Sequence, residues 1–383
     1  MDFGLNAEQQ ELYDAVLMFA REELGGDPRV IDETDGFDRG AWRKAAAFGI
    51  LGLPVPAEYG GQGRDLLATL IAMEALGRGC PDNGLVFSLN AQMWACQMPI
   101  VAYGTEQQKR RWLPGLVSGD VIGAHAITEP GAGSDVFSLT TRAEAADGGY
   151  RLTGAKTFST NGPVADVAVA FAYLERGAGK SRALTAFLVP RDTPGVTFGA
   201  PIHKMGLRTS PMGEVVFDGA FLPTDARLGP EGAGGAVFNS AMEWERACIF
   251  AGHLGAMERL LESCIKYARE RRQFGQPIAK FESVADRIAD MKVNIEAGRH
   301  LLRLVGWLKQ QGKSSALESA IAKLFVSEAH VKACLDALQL HGGYGYLQDY
   351  PIERFWRDLR VHSILEGTNQ IMRVIVSRDL LRQ

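Results

Sequence analysis

Asp120-Val121-Ile122-Gly123-Ala124-His125-Ala126-Ile127 marks the point where the chain changes its period. Before it, apolar residues recur at spacings of three and four. After it they fall into short β-prone runs, at 121–127, 138–146, 150–157, 165–173, 183–189 and 213–222. Turn signals separate the runs: Asp147-Gly148-Gly149, Gly177-Ala178-Gly179 and Pro194-Gly195. No long helical pattern intervenes. The middle of the chain therefore reads as an antiparallel barrel or sandwich and not as a doubly wound βαβ unit.

Working back from this point, residues 6–120 read as helices. Asn6-Ala7-Glu8-Gln9 resembles a capping box ahead of Leu12, Val16 and Phe19. A second helix is expected from Asp38 to Phe48, ended by Gly49 and the Pro54/Pro56 pair. Pro56-Ala57-Glu58-Tyr59-Gly60-Gly61 reads as a loop, and helical patterns resume at Leu66–Leu76, Gly84–Tyr103 and Glu106–Val117. Working forward, long helical patterns cover 235–272, 279–311 and 313–341, punctuated by Pro277 and Gly312. They suggest an up-down bundle. A shorter helix at Pro351–Leu359 precedes a last one. The expected class is α+β, with a helical N-terminal domain (1–120), a β-domain (121–231) and a C-terminal helical bundle (232–383).

Composition narrows the function. The 383 residues are 22% charged and 46% hydrophobic, with a net charge of -4 and both signs interspersed. That is an ordinary globular balance, and it argues against nucleic acid as the main partner. No apolar run reaches the length of a membrane span. The N-terminus lacks the basic-then-apolar order of a secretion signal. The five cysteines and seven histidines are scattered, without metal-ligand spacing, so no metal site is expected and a reduced, cytoplasmic setting is.

Five stretches carry candidate chemistry. Leu365-Glu366-Gly367-Thr368-Asn369-Gln370-Ile371 places one carboxylate at the start of an apolar run, where it can accept a proton. An acid in a first helical turn is also favoured by the helix dipole alone. Ala126-Ile127-Thr128-Glu129-Pro130-Gly131-Ala132-Gly133-Ser134-Asp135 forms a tight loop with exposed hydroxyls that can lie against a flat polar ring, or is an ordinary Pro-Gly turn. It lacks the Gly-Lys-Ser/Thr ending of a phosphate loop. Lys156-Thr157-Phe158-Ser159-Thr160-Asn161-Gly162 offers an aromatic face at Phe158 and a hydroxyl at Thr160, although Phe158 on a strand is more often core. Tyr267-Ala268-Arg269-Glu270-Arg271-Arg272-Gln273-Phe274-Gly275 has basic residues that either suit a helix end or bind an anion through Arg271 and Gln273. Gln339-Leu340-His341-Gly342-Gly343-Tyr344-Gly345-Tyr346 has more glycines than ending a helix requires.

In this order, and through essentially the whole chain, the five stretches resemble the acyl-CoA dehydrogenase family. The resemblance implies one FAD enclosed by the three domains, α,β-dehydrogenation of an acyl thioester, and hydride transfer to the flavin. It places Thr128, Ser134, Phe158 and Thr160 along the isoalloxazine, with Ser134 also near the thioester. Many members have Trp where Phe158 stands. Arg271, Gln273 and Phe274 would reach the FAD of a neighbouring subunit. Gln339, Gly342 and Gly343 would line its adenosine diphosphate half, with Thr368 and Gln370 on the other side. Glu243, Arg246 and Gly367 would lie near the substrate. A homodimer is then the minimum, a dimer of dimers (homotetramer) is usual, and an electron-transferring flavoprotein would accept the electrons.

The resemblance offers two bases. Most members place theirs where Glu366 stands, and a minority place it where Glu245 stands. Two carboxylates facing one carbon repel, which drives one to the protonated form; the expectation is Glu366 as base. Ser88–Trp94 match the base of the acyl pocket, although Met93 and Trp94 are equally good core residues. Met242-Glu243-Trp244-Glu245-Arg246-Ala247-Cys248 is similar to members that oxidise acyl or prolyl groups on carrier proteins, many of which lack the C-terminal glutamate kept here. Three readings stand: a dehydrogenase of acyl-CoA, the same chemistry on an acyl- or aminoacyl-carrier protein, and a non-catalytic flavin-binding assembly subunit.

Overall fold

The computed structural model describes residues 4–34, 36–176 and 181–381; the turn expected at Gly177-Ala178-Gly179 lies outside the described residues. Helix α1 (Ala7–Glu23) begins on the capping box its sequence signals. Gln9 N donates to the Asn6 side chain at 2.8 Å, and Asn6 N donates to the Gln9 side chain at 3.1 Å. A short α2 (Pro28–Thr34), which no apolar spacing announces, starts on a proline. The Asp38 side chain caps α3 (Arg39–Phe48), which ends at Gly49 with φ 101°. Then come α4 (Leu66–Gly79), α5 (Asn83–Gln92), α6 (Met98–Tyr103) and α7 (Glu106–Ser118). The sequence reads 84–103 as one helical pattern, but a π turn at Met93–Gln97 separates α5 from α6. Pro99 accounts for the difference. In a regular helix its ring would meet the carbonyl four residues back, and the wider turn relieves that clash.

One sheet holds β1 (Gly123–Ala126), β2 (Arg142–Ala146), β3 (Gly149–Thr160), β4 (Val167–Arg176), β5 (Ser181–Pro190), β6 (Val196–Phe198), β7 (Met212–Pro223) and β8 (Arg227–Leu228). The order is β6-β7-β3-β2-β4-β5-β8, with β1 also beside β4. Most neighbours are antiparallel, as the turn signals imply. β1 and β2 instead run parallel to β4, at Gly123↔Val167 through Ala126↔Ala170 and at Arg142↔Tyr173 onwards. The segment between them must leave the sheet and return to it, and it carries Thr128–Ser134.

The C-terminal part contains α8 (Gly234–Glu270), α9 (Glu282–Gln310), α10 (Ala316–His341), α11 (Ile352–Arg360) and α12 (Asn369–Leu381). α8 ends before the expected residue 272 because Arg272–Gln273 (β9) and Gln276–Pro277 (β10) pair as a hairpin. The turn between them, Phe274-Gly275, has positive φ at both residues, 49° and 80°, the pairing that suits a two-residue hairpin.

Inside this bundle three buried imidazoles lie against one another. His330 Nδ1 is 3.3 Å from His362 Nδ1, and the His253 and His362 rings are 3.9 Å apart by centroid. His253 Nδ1 donates to Ile249 O at 3.0 Å. Burial pushes His253 down to about 3, and pushes His330 and His362 well below the usual imidazole range; any charge on one further disfavours charge on its neighbours. The folded chain therefore holds these rings neutral where the unfolded chain protonates them. Their contribution to stability is complete above pH about 6.5 and is lost as pH falls below it, for His253 down towards about 3. Urea unfolding followed from pH 7.5 to 5 should show stability falling by up to roughly 1.4 kcal/mol per pH unit for each ring. His362→Phe should flatten that slope.

Candidate active site

The carboxyl groups of Glu245, on α8, and Glu366, in the bend before α12, face each other within hydrogen-bonding reach. The sequence separates them by most of the C-terminal bundle. Glu366 has φ 54° and Gly367 φ 85°, so two consecutive left-handed residues turn the chain towards α8. Arg246 Nε holds this bend by donating to the Glu366 carbonyl at 3.3 Å. Thr368 closes it as a helix cap, its Oγ1 accepting from Ile371 N at 3.4 Å. A side chain at Gly367 would meet Met372 Cε at 2.9 Å, and the positive φ disfavours one in any case.

Electrostatics distinguish the two acids. Burial raises both carboxyls. The Glu366 charge raises Glu245 further, so Glu245 lies well above the usual carboxylate range. Glu366 is drawn back down by the hydrogen bond from Glu245 and by Arg246 and Lys323. The shared proton therefore resides on Glu245, and Glu366 is the accepting carboxylate. Lys323 is fully buried and pushed to about 8 by that burial. Its Nζ donates to Asn369 Oδ1 at 2.7 Å, an oxygen that also accepts from Ser327 Oγ at 3.0 Å. Glu243 does not join this group; it pairs with Lys309 of α9, whose ammonium also lies 5.8 Å from the Trp244 ring centroid. Trp244 stacks on the buried Trp94 at 5.6 Å with an interplanar angle of 2°, and Trp94 Nε1 donates to Asn90 Oδ1 at 2.8 Å. Ser88 is buried against Ser210, Oγ to Oγ 2.7 Å.

The Thr128–Ser134 loop and the Phe158–Thr160 strand end come together. Thr157 N donates to Thr128 O at 2.8 Å. Between Lys156 and Ser159 the β3–β7 register shifts, and Phe158 takes φ 56°. The irregularity turns its ring outward, 59% exposed, where a regular strand would bury it. Two residues that do not stand out in the sequence hold this arrangement. Lys156 Nζ donates to Glu129 Oε1 at 2.7 Å, both side chains being buried. Glu129 also accepts from Thr140 N and Oγ1 (2.6 and 2.7 Å) and from Thr141 N and Oγ1 (2.9 and 2.5 Å). Burial alone would raise Glu129, but the Lys156 ammonium and the threonine donors outweigh it and hold it at about 2. An acid two residues before a Gly-rich turn and a lysine two before Phe158 are the only signals in the sequence.

A third group lies at the end of α8. The Arg271 guanidinium sits 5.5 Å from the Tyr344 ring centroid. Gln339, Gly342 and Gly343 are exposed, and open space surrounds both glycines. Gln273 folds back onto Arg272 O at 2.6 Å, while Phe274 is 94% exposed at the hairpin tip.

Lys156→Met removes the partner of a buried carboxylate. It should lower unfolding stability by about 3–5 kcal/mol, read by chemical denaturation. Combining it with Glu129→Gln should recover part of that loss.

Comparison with known proteins agrees along the whole chain. Models of the acyl-CoA dehydrogenase N-terminal, middle and C-terminal domains match residues 6–120, 124–220 and 232–381. An L-prolyl peptidyl-carrier protein dehydrogenase of Pseudomonas fluorescens is 42% identical over 99% of this chain and 100% of its own length. An acyl-CoA dehydrogenase of Bacillus subtilis is 40% identical over 98% of each chain. The solved structure of PigA with FAD and proline superposes with a TM-score of 0.96 at 38% identity, over 100% of both chains. With three domain models in order and relatives matched end to end, the chain belongs to the acyl-CoA dehydrogenase family.

Proposed function

We propose that the chain is an FAD-dependent dehydrogenase that removes one α and one β hydrogen from an acyl group held as a thioester. Glu366 is the base. The observation that carries this reading is the buried Glu245–Glu366 pair, in which one carboxyl keeps the proton and the other is left ionised. An assembly subunit without catalysis has no use for such a pair, since burying an ionised carboxylate beside a second acid disfavours folding.

The surfaces fit the cofactor. Phe158 is turned outward at a strained backbone position, and Gly131, Gly133, Gly342 and Gly343 leave open space around them. Thr128, Ser134, Phe158 and Thr160 would face the ring system. Arg271, Gln339, Gly342, Gly343, Thr368 and Gln370 would hold the remainder, with Gln273 and Phe274 reaching the FAD of a neighbouring subunit. Bound FAD supplies the two-electron acceptor for the β hydrogen. The protein's own residues do the rest. Glu366 takes the α proton, and its burial makes it a stronger base than an exposed carboxylate. Arg246 fixes the carbonyl of the base, and the Glu129–Lys156 pair fixes the strand end that carries Phe158. An electron-transferring flavoprotein is the proposed acceptor.

An aminoacyl group on a carrier protein is the preferred substrate, supported by the prolyl carrier-protein relatives at 42% and 39% identity. Acyl-CoA is the second reading, supported by relatives such as the acyl-CoA dehydrogenase at 40%. Anaerobic flavin reduction by a panel of acyl-CoAs and acyl-carrier proteins separates the two.

At saturating substrate, Glu366→Gln should slow that reduction by about 10³-fold or more with FAD still bound, and Glu245→Gln by about tenfold at most. The reverse order moves the base to Glu245.

Arg271→Ala should weaken FAD retention in dialysis, through loss of a charge-assisted contact to phosphate. Unchanged retention removes Arg271 from the cofactor site. Light scattering should find at least a dimer in dilute solution; a monomer that retains FAD would contradict the shared-cofactor reading of Phe274.

A further inference from the structure

The pair contains one carboxyl more than proton abstraction requires. Glu245 is buried, and apart from the facing carboxyl of Glu366 its Oε2 has no hydrogen-bond partner. The cation nearest in effect, Arg246, acts on Glu245 by charge without a hydrogen bond, its Nε donating to the Glu366 carbonyl, while Lys323 donates to Asn369. A buried carboxyl whose only partner is another carboxyl leaves lone pairs unmatched, which is destabilising unless something arriving in the site supplies a donor. The position of Glu245 says which part of a substrate that is. Its carboxyl touches that of Glu366, and Glu366 takes a proton from Cα. A group in contact with the base is within reach of whatever else Cα carries, and in an aminoacyl thioester Cα carries the nitrogen.

We propose that Glu245 is the receptor for the nitrogen of an α-aminoacyl thioester and that the proton held between the two carboxyls passes to that nitrogen when the substrate seats. This rests on the dehydrogenase reading with Glu366 as base. The O–H bond of Glu245 breaks and an N–H bond forms on the amine lone pair. Glu245 becomes a carboxylate paired with the new ammonium, with no net change of charge. A substrate that arrives already as the ammonium sends the Glu245 proton to water instead. Either way Glu366 loses the hydrogen bond that had stabilised its charged form, and becomes the stronger base. An acyl group without nitrogen leaves that hydrogen bond in place. Glu245 thus selects the substrate twice, in binding and in readiness of the base.

The test uses FAD-loaded protein reduced beforehand with dithionite, so that no turnover occurs. S-prolyl-pantetheine and its carbocyclic counterpart, cyclopentanecarbonyl-pantetheine, are titrated by calorimetry at a pH where the free amine is protonated, in two buffers of different ionisation heat. The parent should prefer the prolyl compound by about tenfold or more, as expected for a charge-assisted hydrogen bond, and should release close to one proton on binding it. Glu245→Gln should lose most of that preference and all of the proton release. An unchanged preference in the variant, or no proton release in the parent, overturns the proposal and assigns Oε2 to water. The parent's proton release decides the matter even if the variant fails to fold. Oxidised parent is mixed anaerobically with the same two compounds as the companion measurement. Bleaching by both at equal rates overturns the proposal and leaves the dehydrogenase reading standing; bleaching by neither removes both.

Discussion

α4 and α8 cross where neither has room for a side chain. A Cβ on Gly77 would stand 1.7 Å from the Gly252 carbonyl oxygen, and one on Gly255 would stand 1.9 Å from the Glu74 carbonyl oxygen. This backbone contact joins the N-terminal helices to the bundle and fixes both the rotation and the axial position of α8. Arg259, from α8, ties down the end of α4 by donating to Gly77 O at 2.6 Å, to Cys80 O, and to Asn83 Oδ1 at 2.9 Å. Such carbonyls at a helix end have no partner within the helix. Glu245 lies roughly 10–15 Å along α8 from this lock. Its alignment with Glu366 is inherited from a contact between glycines about two to three helical turns away.

Strain gathers where the chemistry is proposed. Among the described residues, the non-glycine positions with positive φ are Phe158, Asn161, Leu207, Phe274 and Glu366. Three of these are candidate site residues, which is more than packing alone explains. Each has its own restraint. Arg246 holds the carbonyl of Glu366, the β9–β10 hairpin dictates Phe274, and Phe158 is bracketed by the register shift and the buried Glu129–Lys156 pair. Each position is presented outward or into the site at a backbone cost of about 1–3 kcal/mol, met by contacts within the protein.

These restraints also mark the limit of what the sequence makes legible. Local rules show plainly: the Asn6–Gln9 box, the Asp38 cap, Gly49 and Gly148 as turn residues, and the change of period after Asp120. Each depends on neighbours a few positions away. The π turn at Met93–Gln97 and the parallel placement of β1 and β2 depend on a proline ring and on a shared strand edge, which leave no periodic trace. Of the site, Glu245 and Glu366 could be named from sequence only as rival bases. Their contact joins residues 121 positions apart by their numbering. The Glu129–Lys156 pair was not legible at all, since an acid and a base 27 positions apart look like any two surface charges until both are buried.

With an aminoacyl substrate, the roles proposed for the carboxyl pair would also account for release of the product. The resting pair holds one proton; the amine takes it, and the α proton replaces it on Glu366. Once the double bond forms between Cα and Cβ, the nitrogen lone pair is drawn into it and the nitrogen becomes a poor base. It returns its proton to Glu245, and the ion pair that held the substrate is gone. Both carboxyls are then neutral, with no charge left between them to attract the nitrogen. The next ionisation sends one proton to water, the one proton that dehydrogenation by hydride loss must release. The group that selects the substrate by its basicity lets the product go for lack of it.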